Sequence, residues 1–155
     1  MTEQRPRIVV GVDGSASSKT ALRWAGRMAA AERAGLDVIA AWELPPSVGW
    51  YALPPGFSPE ADLDQVLAAS VDEVFGANRP PQLRMRSLEG PPAQILLTAG
   101  RGARMIVVGS RGHGGFAGLL LGSVSSKVAE HATCPVLVVH GDAPEPLLDE
   151  PSSQL

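Results

Sequence analysis

The chain has 155 residues, enough for one domain that buries most of its apolar surface. Hydrophobic residues make up 45% and charged residues 19%, an ordinary globular balance, and no apolar run reaches the ~18 residues of a membrane span. The net charge is −3, but Asp142, Glu145, Asp149 and Glu150 lie in a terminal stretch without a base, so the body is near neutral and offers no nucleic-acid surface.

The amino terminus, M-T-E-Q-R-P-R, lacks the apolar segment of a secretory signal, and the single Cys134 cannot form an internal disulfide. Both point to a cytoplasmic protein. Arg7-Ile-Val-Val-Gly-Val-Asp13 reads as a buried strand that ends in turn residues. Ser15 or Ser17 can cap a helix predicted over 16–34, with Ala21, Leu22, Ala25, Met28 and Ala29 as its inner stripe. Gly35 is the expected terminator. Leu36 to Trp42 is a second strand, and strand, helix, strand at this spacing makes a βαβ unit with parallel strands.

Residues 44–59 break the pattern. Pro45, Pro46, Pro54, Pro55 and Pro59, with Gly49 and Gly56, forbid regular structure. Trp50, Tyr51, Leu53 and Phe57 make the loop unusually apolar. It reads first as a surface excursion and second as a lid or binding segment. A helix follows over 60–75, with Leu63, Val66, Leu67, Val71 and Val74 inward. Its carboxylates Asp62, Asp64, Asp72 and Glu73 suit a solvated face. Residues 82–88 form a strand too polar for a sheet centre, so it is placed at an edge. Pro91-Pro92 opens a helix that runs to Gly100. Met105–Gly109 is the fourth strand, Ser123–His131 the last helix, and Pro135–His140 the fifth strand. Residues 1–141 thus form the domain, and the acidic, proline-containing 142–155 is expected to be disordered. The fold class is α/β: a single doubly wound, five-stranded parallel sheet with helices on both faces, Rossmann-like, with strand order 3-2-1-4-5. Ligands in such sheets bind at the strands' carboxyl ends, where the order reverses; here those ends are Asp13 and Gly109.

The stretch from Gly109 to Ser125 carries the chemistry. Gly109, Gly112, Gly114, Gly115, Gly118 and Gly122 lie between a strand and a predicted helix N-terminus. Glycines let backbone N–H groups converge, and a helix start carries partial positive charge, so the stretch is a candidate anion cradle. A Walker A loop is excluded, because no G-x-x-x-x-G-K-[ST] run exists. Gly112 to Ala117 matches G-x-G-x-x-A, but after the fourth strand and with no helix starting there. The whole span spells Gly109-x-x-Gly112, nine residues, then Gly122-Ser123.

With V-G-V-D-G-S at 10–15, G-P-P-A at 90–93, the glycine span at 107–125 and C-P-V-L-V-V at 134–139, residues 5–141 resemble the universal stress protein family in its ATP-binding branch. The resemblance implies an adenine nucleotide between the first strand's exit and the glycine loop. Asp13 would contact the nucleotide near adenine or ribose, with Gly11 and Val12 along the base. Trp42 falls where the family has an apolar residue beside adenine, and its bulk is a departure. Gly109, Gly112, Gly122, Ser123, Val124 and Ser125 would hold ribose and phosphates, and Arg111 and His113 are loop candidates for phosphate. ATP with Mg2+ or Mn2+ bridging the phosphates is the implied ligand, and a nucleotide-responsive stress regulator the implied role. Slow ATP hydrolysis, cyclic AMP binding and a nucleotide-free interaction role are the alternatives. No clear general base or arginine finger supports the first.

No catalytic or metal-ligating set is read from the residues. His131, His140 and Cys134 lack ligand spacing, and no histidine is tied by sequence to Asp13, Ser15 and Ser17. Lys127 reads as solvated. The apolar strand at 136–140 would stand at a sheet edge, and pairing with its symmetry mate would make a homodimer, as the family commonly does.

Overall fold

The computed structural model describes residues 5–44, 54–111, 121–141 and 144–146. Nine elements alternate along them: β1 Arg7–Gly11, α1 Ala16–Glu32, β2 Gly35–Trp42, α2 Pro59–Phe75, β3 Leu83–Glu89, α3 Pro92–Ala99, β4 Met105–Gly109, α4 Ser123–His131 and β5 Val136–Val139. The strands form one parallel sheet in the order β3-β2-β1-β4-β5, as the alternation of elements predicts.

Side-chain alternation explains the layers. Ile8, Val10, Val12, Leu36, Val38 and Val107 point to one face, where Ala21, Leu22, Ala25 and Ala29 of α1 and Leu67 and Val71 of α2 cover them. Val9, Ile39, Ile106 and Val108 point to the other, against Ala93 and Leu96 of α3 and Val128 of α4. Continuous β-branched runs such as Ile8-Val9-Val10 are what a strand buried on both sides requires. Each fully buried Val, Leu or Ile contributes about 1.5–3 kcal/mol.

The end of α1 differs from the sequence expectation. Helix α1 stops at Glu32, and its C-cap is Arg33, left-handed at φ 51°, whose N–H reaches the carbonyls of Ala29 and Ala30. Gly35 is instead the first residue of β2. It must be small for another reason: a Cβ there would collide with the Arg7 guanidinium. The start of α1 is as expected, with Ser15 Oγ accepting from Ser18 N at 3.2 Å. The polar strand β3 lies at the sheet edge, with Arg84, Met85 and Arg86 exposed. Charge on an edge strand opposes pairing with another chain.

The proline-rich loop lies largely outside the described residues, at 45–53; Phe57, in its described part, is 47% exposed. No helix among the described residues is long and apolar enough to cross a membrane.

Helices α1 and α2 are bridged by Lys19 Nζ and Glu73 Oε2 at 2.7 Å. The Lys19 ammonium, by its hydrogen bond and its charge, holds the Glu73 carboxyl below the usual carboxylate range. A depressed carboxyl pKa adds stability above its unfolded value, and that contribution disappears as pH falls through the folded value. Lys19→Ala should therefore return the Glu73 titration to the ordinary range, read by carboxyl-carbon NMR, with little change in overall stability because Glu73 is exposed.

Candidate functional site

Parallel pairing of β1 with β4, in the register Val10↔Val107, brings the exits of the two strands together. On the β1 side the chain leaves through Gly11, Val12 and Asp13. Val12 is buried, and its N–H donates to Ile39 O at 2.9 Å, which carries the sheet one residue further. Asp13 is exposed at the strand end; its Oδ1 accepts from Ser15 N at 2.9 Å, and its own N–H donates to Ser18 Oγ at 3.3 Å. The turn thus fixes Asp13 against the first turn of α1.

On the β4 side Gly109 ends the strand and Ser110 is buried. Ser110 N donates to Val139 O at 2.8 Å, and Ser110 O accepts from Gly122 N at 2.6 Å. Ser125 Oγ lies 3.1 Å from both Ser110 O and Gly122 O. The chain therefore departs at Ser110 and returns at Gly122 through one backbone hydrogen bond, which fixes both ends of the glycine loop whatever its middle does. Gly112 and His113 fall at 112–120, outside the described residues; Arg111 is exposed at the departure point.

Helix α4 begins where the loop returns. Its N-cap Gly122 is extended (φ −70°, ψ 169°), and no side chain among the described residues caps it. The N–H groups of Ser123, Val124 and Ser125 belong to the first turn, which has no intrahelical acceptor. Ser123 is exposed, Val124 partly buried and Ser125 buried, with the Ser125 hydroxyl turned inward onto the two carbonyls. Ser125 therefore positions the helix start through its side chain. An uncapped N-terminus with a partial positive charge suits an anion.

Trp42 stands at the carboxyl end of β2, partly buried, with its carbonyl accepting from Gly90 N at 2.8 Å. Strand β2 neighbours β1, with Gly11 opposite Ile39, so Trp42 projects three residues beyond that pairing. The structure thus gathers Gly11, Val12, Asp13, Gly109, Arg111, Gly122, Ser123, Val124 and Ser125 at one end of the sheet, with Trp42 on the adjoining strand.

Two residues escaped the sequence reading. Ser110 is a polar core residue on which the loop closes. Ser17 lies in the first turn of α1, packed between Gly109 and Gly141, and its Oγ is buried without a hydrogen-bond partner among the described residues. Buried polar atoms are normally paired, so this hydroxyl at the mouth of the site is an unmet donor. The D-G-S-A-S spelling places Ser17 near the turn, but cannot tell it from a second cap.

Close packing makes Gly109 intolerant of a side chain. A Cβ there would stand 2.5 Å from Ser17 Oγ and 2.9 Å from the Ser17 carbonyl carbon, and backbone cannot swing aside. Gly109→Ala should cost about 1–3 kcal/mol of stability, read as a lower urea midpoint.

Among the described residues no group of three or more His, Cys, Asp or Glu is placed to hold a metal. Cys134 is partly buried, and desolvation pushes its thiol above the ordinary range, as befits a packed residue.

The model of the Universal stress protein family matches residues 4–140. A universal stress protein of Mycolicibacterium smegmatis is 34% identical over 145 residues, covering 87% of this chain and 48% of that protein. The chain thus spans about half the length of the curated relatives it matches. Among solved structures, a universal stress protein in complex with cAMP shares 32% identity with a TM-score of 0.68, over 89% of this chain and 98% of that one. The protein MJ0577 shares 18% identity with a TM-score of 0.72, over 88% and 96% of the two chains, which is a likeness of fold.

Proposed function

This chain belongs to the universal stress protein family, and from that premise we propose that it is an ATP-binding, nucleotide-responsive regulator. The observation that carries the reading is the uncapped start of α4 at Gly122, held by Ser110 beside the exit of β1. Adenine and ribose would lie against Gly11, Val12 and Asp13, with Trp42 bordering the base. The phosphates would lie on the N–H groups of Ser123, Val124 and Ser125, with the Ser17 hydroxyl as a further donor. These groups are neutral donors, so they fit an anion through dipoles more than through charge. A Mg2+ or Mn2+ ion would be held mainly by the phosphates themselves.

Regulation would follow from order in the glycine loop. Both its ends are fixed at Ser110 and Gly122, so a nucleotide that engages Arg111, Gly112 and His113 would select one arrangement of the loop and change the surface shown to a partner. The β5 edge supplies a surface for assembly. Val136, Leu137 and Val138 are each only partly buried, and β5 pairs with β4 alone among the described strands. A homodimer through β5 is the reading that covers them. Sedimentation should show twice the chain mass at micromolar concentration; a single monomer species would reject it.

Cyclic AMP is the second reading, because a relative of 32% identity was solved with that ligand. The helix start favours ATP, since a chain of three phosphates reaches donors that one cyclic phosphate leaves unmet. Identification of nucleotide carried through purification, followed by calorimetry with ATP, ADP and cyclic AMP, separates them. ATP should bind at least about tenfold more tightly than cyclic AMP, a difference of ~1.4 kcal/mol. The reverse order would replace ATP with cyclic AMP, and no binding of either at millimolar concentration with Mg2+ would end both readings.

A further inference from the structure

The turn that carries Asp13 touches two helices. On one side it is tied to α1 by local hydrogen bonds. Asp13 Oδ1 accepts from Ser15 N at 2.9 Å, Asp13 N donates to Ser18 Oγ at 3.3 Å, and Ser18 Oγ donates to Ser15 O at 3.0 Å. All three bonds close within residues 13–18. Between Asp13 and Ser15 stands Gly14, at φ 83°. Glycine takes that value freely, and the same freedom leaves the turn soft unless something bounds it. On the other side lies α2. Val66 Cγ1 stands 2.9 Å from the position that a Cβ on Gly14 would occupy, so the methyl lies within van der Waals reach of the Gly14 α-carbon.

Helix α2 is a firm support for that contact. Leu67, the next residue, is 1% exposed and Val71 is fully buried, so this length of α2 is anchored in the core. Lys19 and Glu73 bridge α2 to α1, and Phe75 lies against Gly26, where a Cβ would stand 2.6 Å from Phe75 Cε1. Val66 itself is only partly buried, beside the core stripe rather than within it. A helical valine is nearly confined to one χ1 rotamer, so its γ carbon is a fixed stop where a longer side chain would present a mobile tip.

We propose that Val66 is a positioning residue for nucleotide binding: its Cγ1 sets the Asp13-Gly14-Ser15 turn, and through the turn the direction of the Asp13 carboxylate. The proposal rests on the reading of Asp13 as a contact to adenine or ribose. Val66 touches no ligand itself. Truncation to alanine removes the stop, Gly14 gains range, and the carboxylate no longer meets the ligand in one orientation. ATP affinity should fall about fivefold, part of the worth of one charge-assisted hydrogen bond.

Two measurements on the full chain test this. The first needs no ligand. Val66→Ala should speed hydrogen exchange of the Ser15 amide about fivefold or more, while the sheet amides of Val10 and Val107 keep their parent rates. Val66→Ile, which retains both γ carbons, should exchange as the parent does. An unchanged Ser15 rate in Val66→Ala, or a rise shared by the sheet amides, would overturn the proposal. The second is a double-mutant cycle read by ATP calorimetry. Val66→Ala should bind about fivefold more weakly, and Val66→Ala with Asp13→Ala no more weakly than Asp13→Ala alone, because both act through one carboxylate. A residue that merely supports the fold would instead add its loss to that of Asp13→Ala, and additive losses would reject the positioning role. Full affinity in Val66→Ala would reject it as well. Where Asp13→Ala binds too weakly to measure, Asp13→Asn closes the same cycle. Absence of ATP binding in the parent chain would overturn the ATP reading and, with it, the role of Val66 in binding; the exchange rates would then still show whether Val66 holds the turn, so the two failures are distinct.

Discussion

Gly122→Asp is expected to fold as well as the parent chain and to bind nucleotide at least about a hundredfold more weakly, a loss of ~3 kcal/mol. The two halves of that result have separate causes. Gly122 is the N-cap of α4, with φ −70° and ψ 169°, a conformation aspartate adopts without strain, and no side chain among the described residues caps the helix there. An aspartate would supply the missing acceptor and, relative to glycine, add a few tenths of a kcal/mol to stability. The same carboxylate would engage the N–H groups meant for phosphate and set a negative charge against a polyanion. Gly122→Ser separates charge from capping: it also supplies an acceptor but no charge, so its affinity should fall between the two. Urea unfolding and calorimetry on the three proteins measure both quantities. Undiminished affinity in Gly122→Asp would remove the anion from the start of α4.

Much of this frame was legible in the residues. Strand β4 runs from Met105 to Gly109 and helix α4 from Ser123 to His131, the bounds expected from a β-branched run and from the serines after Gly122. Strands buried on both faces announce themselves as unbroken apolar runs, and the alternation of elements limits the sheet to few orders. The glycine spacing was informative because turning off a strand and re-entering a helix are backbone requirements, written locally. What stayed hidden depended on groups distant in sequence. Gly35 looks like a helix terminator until the Arg7 guanidinium is seen above it; Arg33 takes the left-handed position instead. Ser17 reads only as a possible helix cap and Ser110 draws no reading, because an orphaned hydroxyl and a buried carbonyl clamp exist only once β1, β4 and β5 lie side by side. Gly112 and His113 lie outside the described residues.

Asp37→Ala should lower stability by about 2–4 kcal/mol and leave nucleotide affinity almost unchanged. Asp37 lies in the apolar strand β2, at the sheet end opposite the nucleotide site, and is buried. Its Oδ1 accepts from Arg7 Nη2 at 2.5 Å, and the same nitrogen donates to Gln82 O at 3.0 Å. One guanidinium thus joins β1, β2 and the entrance to β3. Arg7 Nε is buried without a partner among the described residues, so the cation already lacks part of its hydration. Removing its counterion leaves a desolvated charge, which costs about 3–5 kcal/mol when burial is complete. The Arg7 side chain is 17% exposed, so water recovers some of that and the expected loss is smaller. The urea midpoint should fall while the slope stays constant. Arg7→Met with Asp37→Leu should regain most of the loss, because a packed apolar pair needs no compensation. If the double variant is as unstable as Asp37→Ala alone, the strand ends require the ion pair itself rather than its volume. Equal nucleotide affinity in all three proteins is the sharper expectation. The amino-terminal ends of the strands carry this ion pair and the carboxyl-terminal ends carry the proposed ligand site, with an apolar sheet between them. A change that loosens one end without unfolding the sheet should therefore leave affinity at the other unchanged.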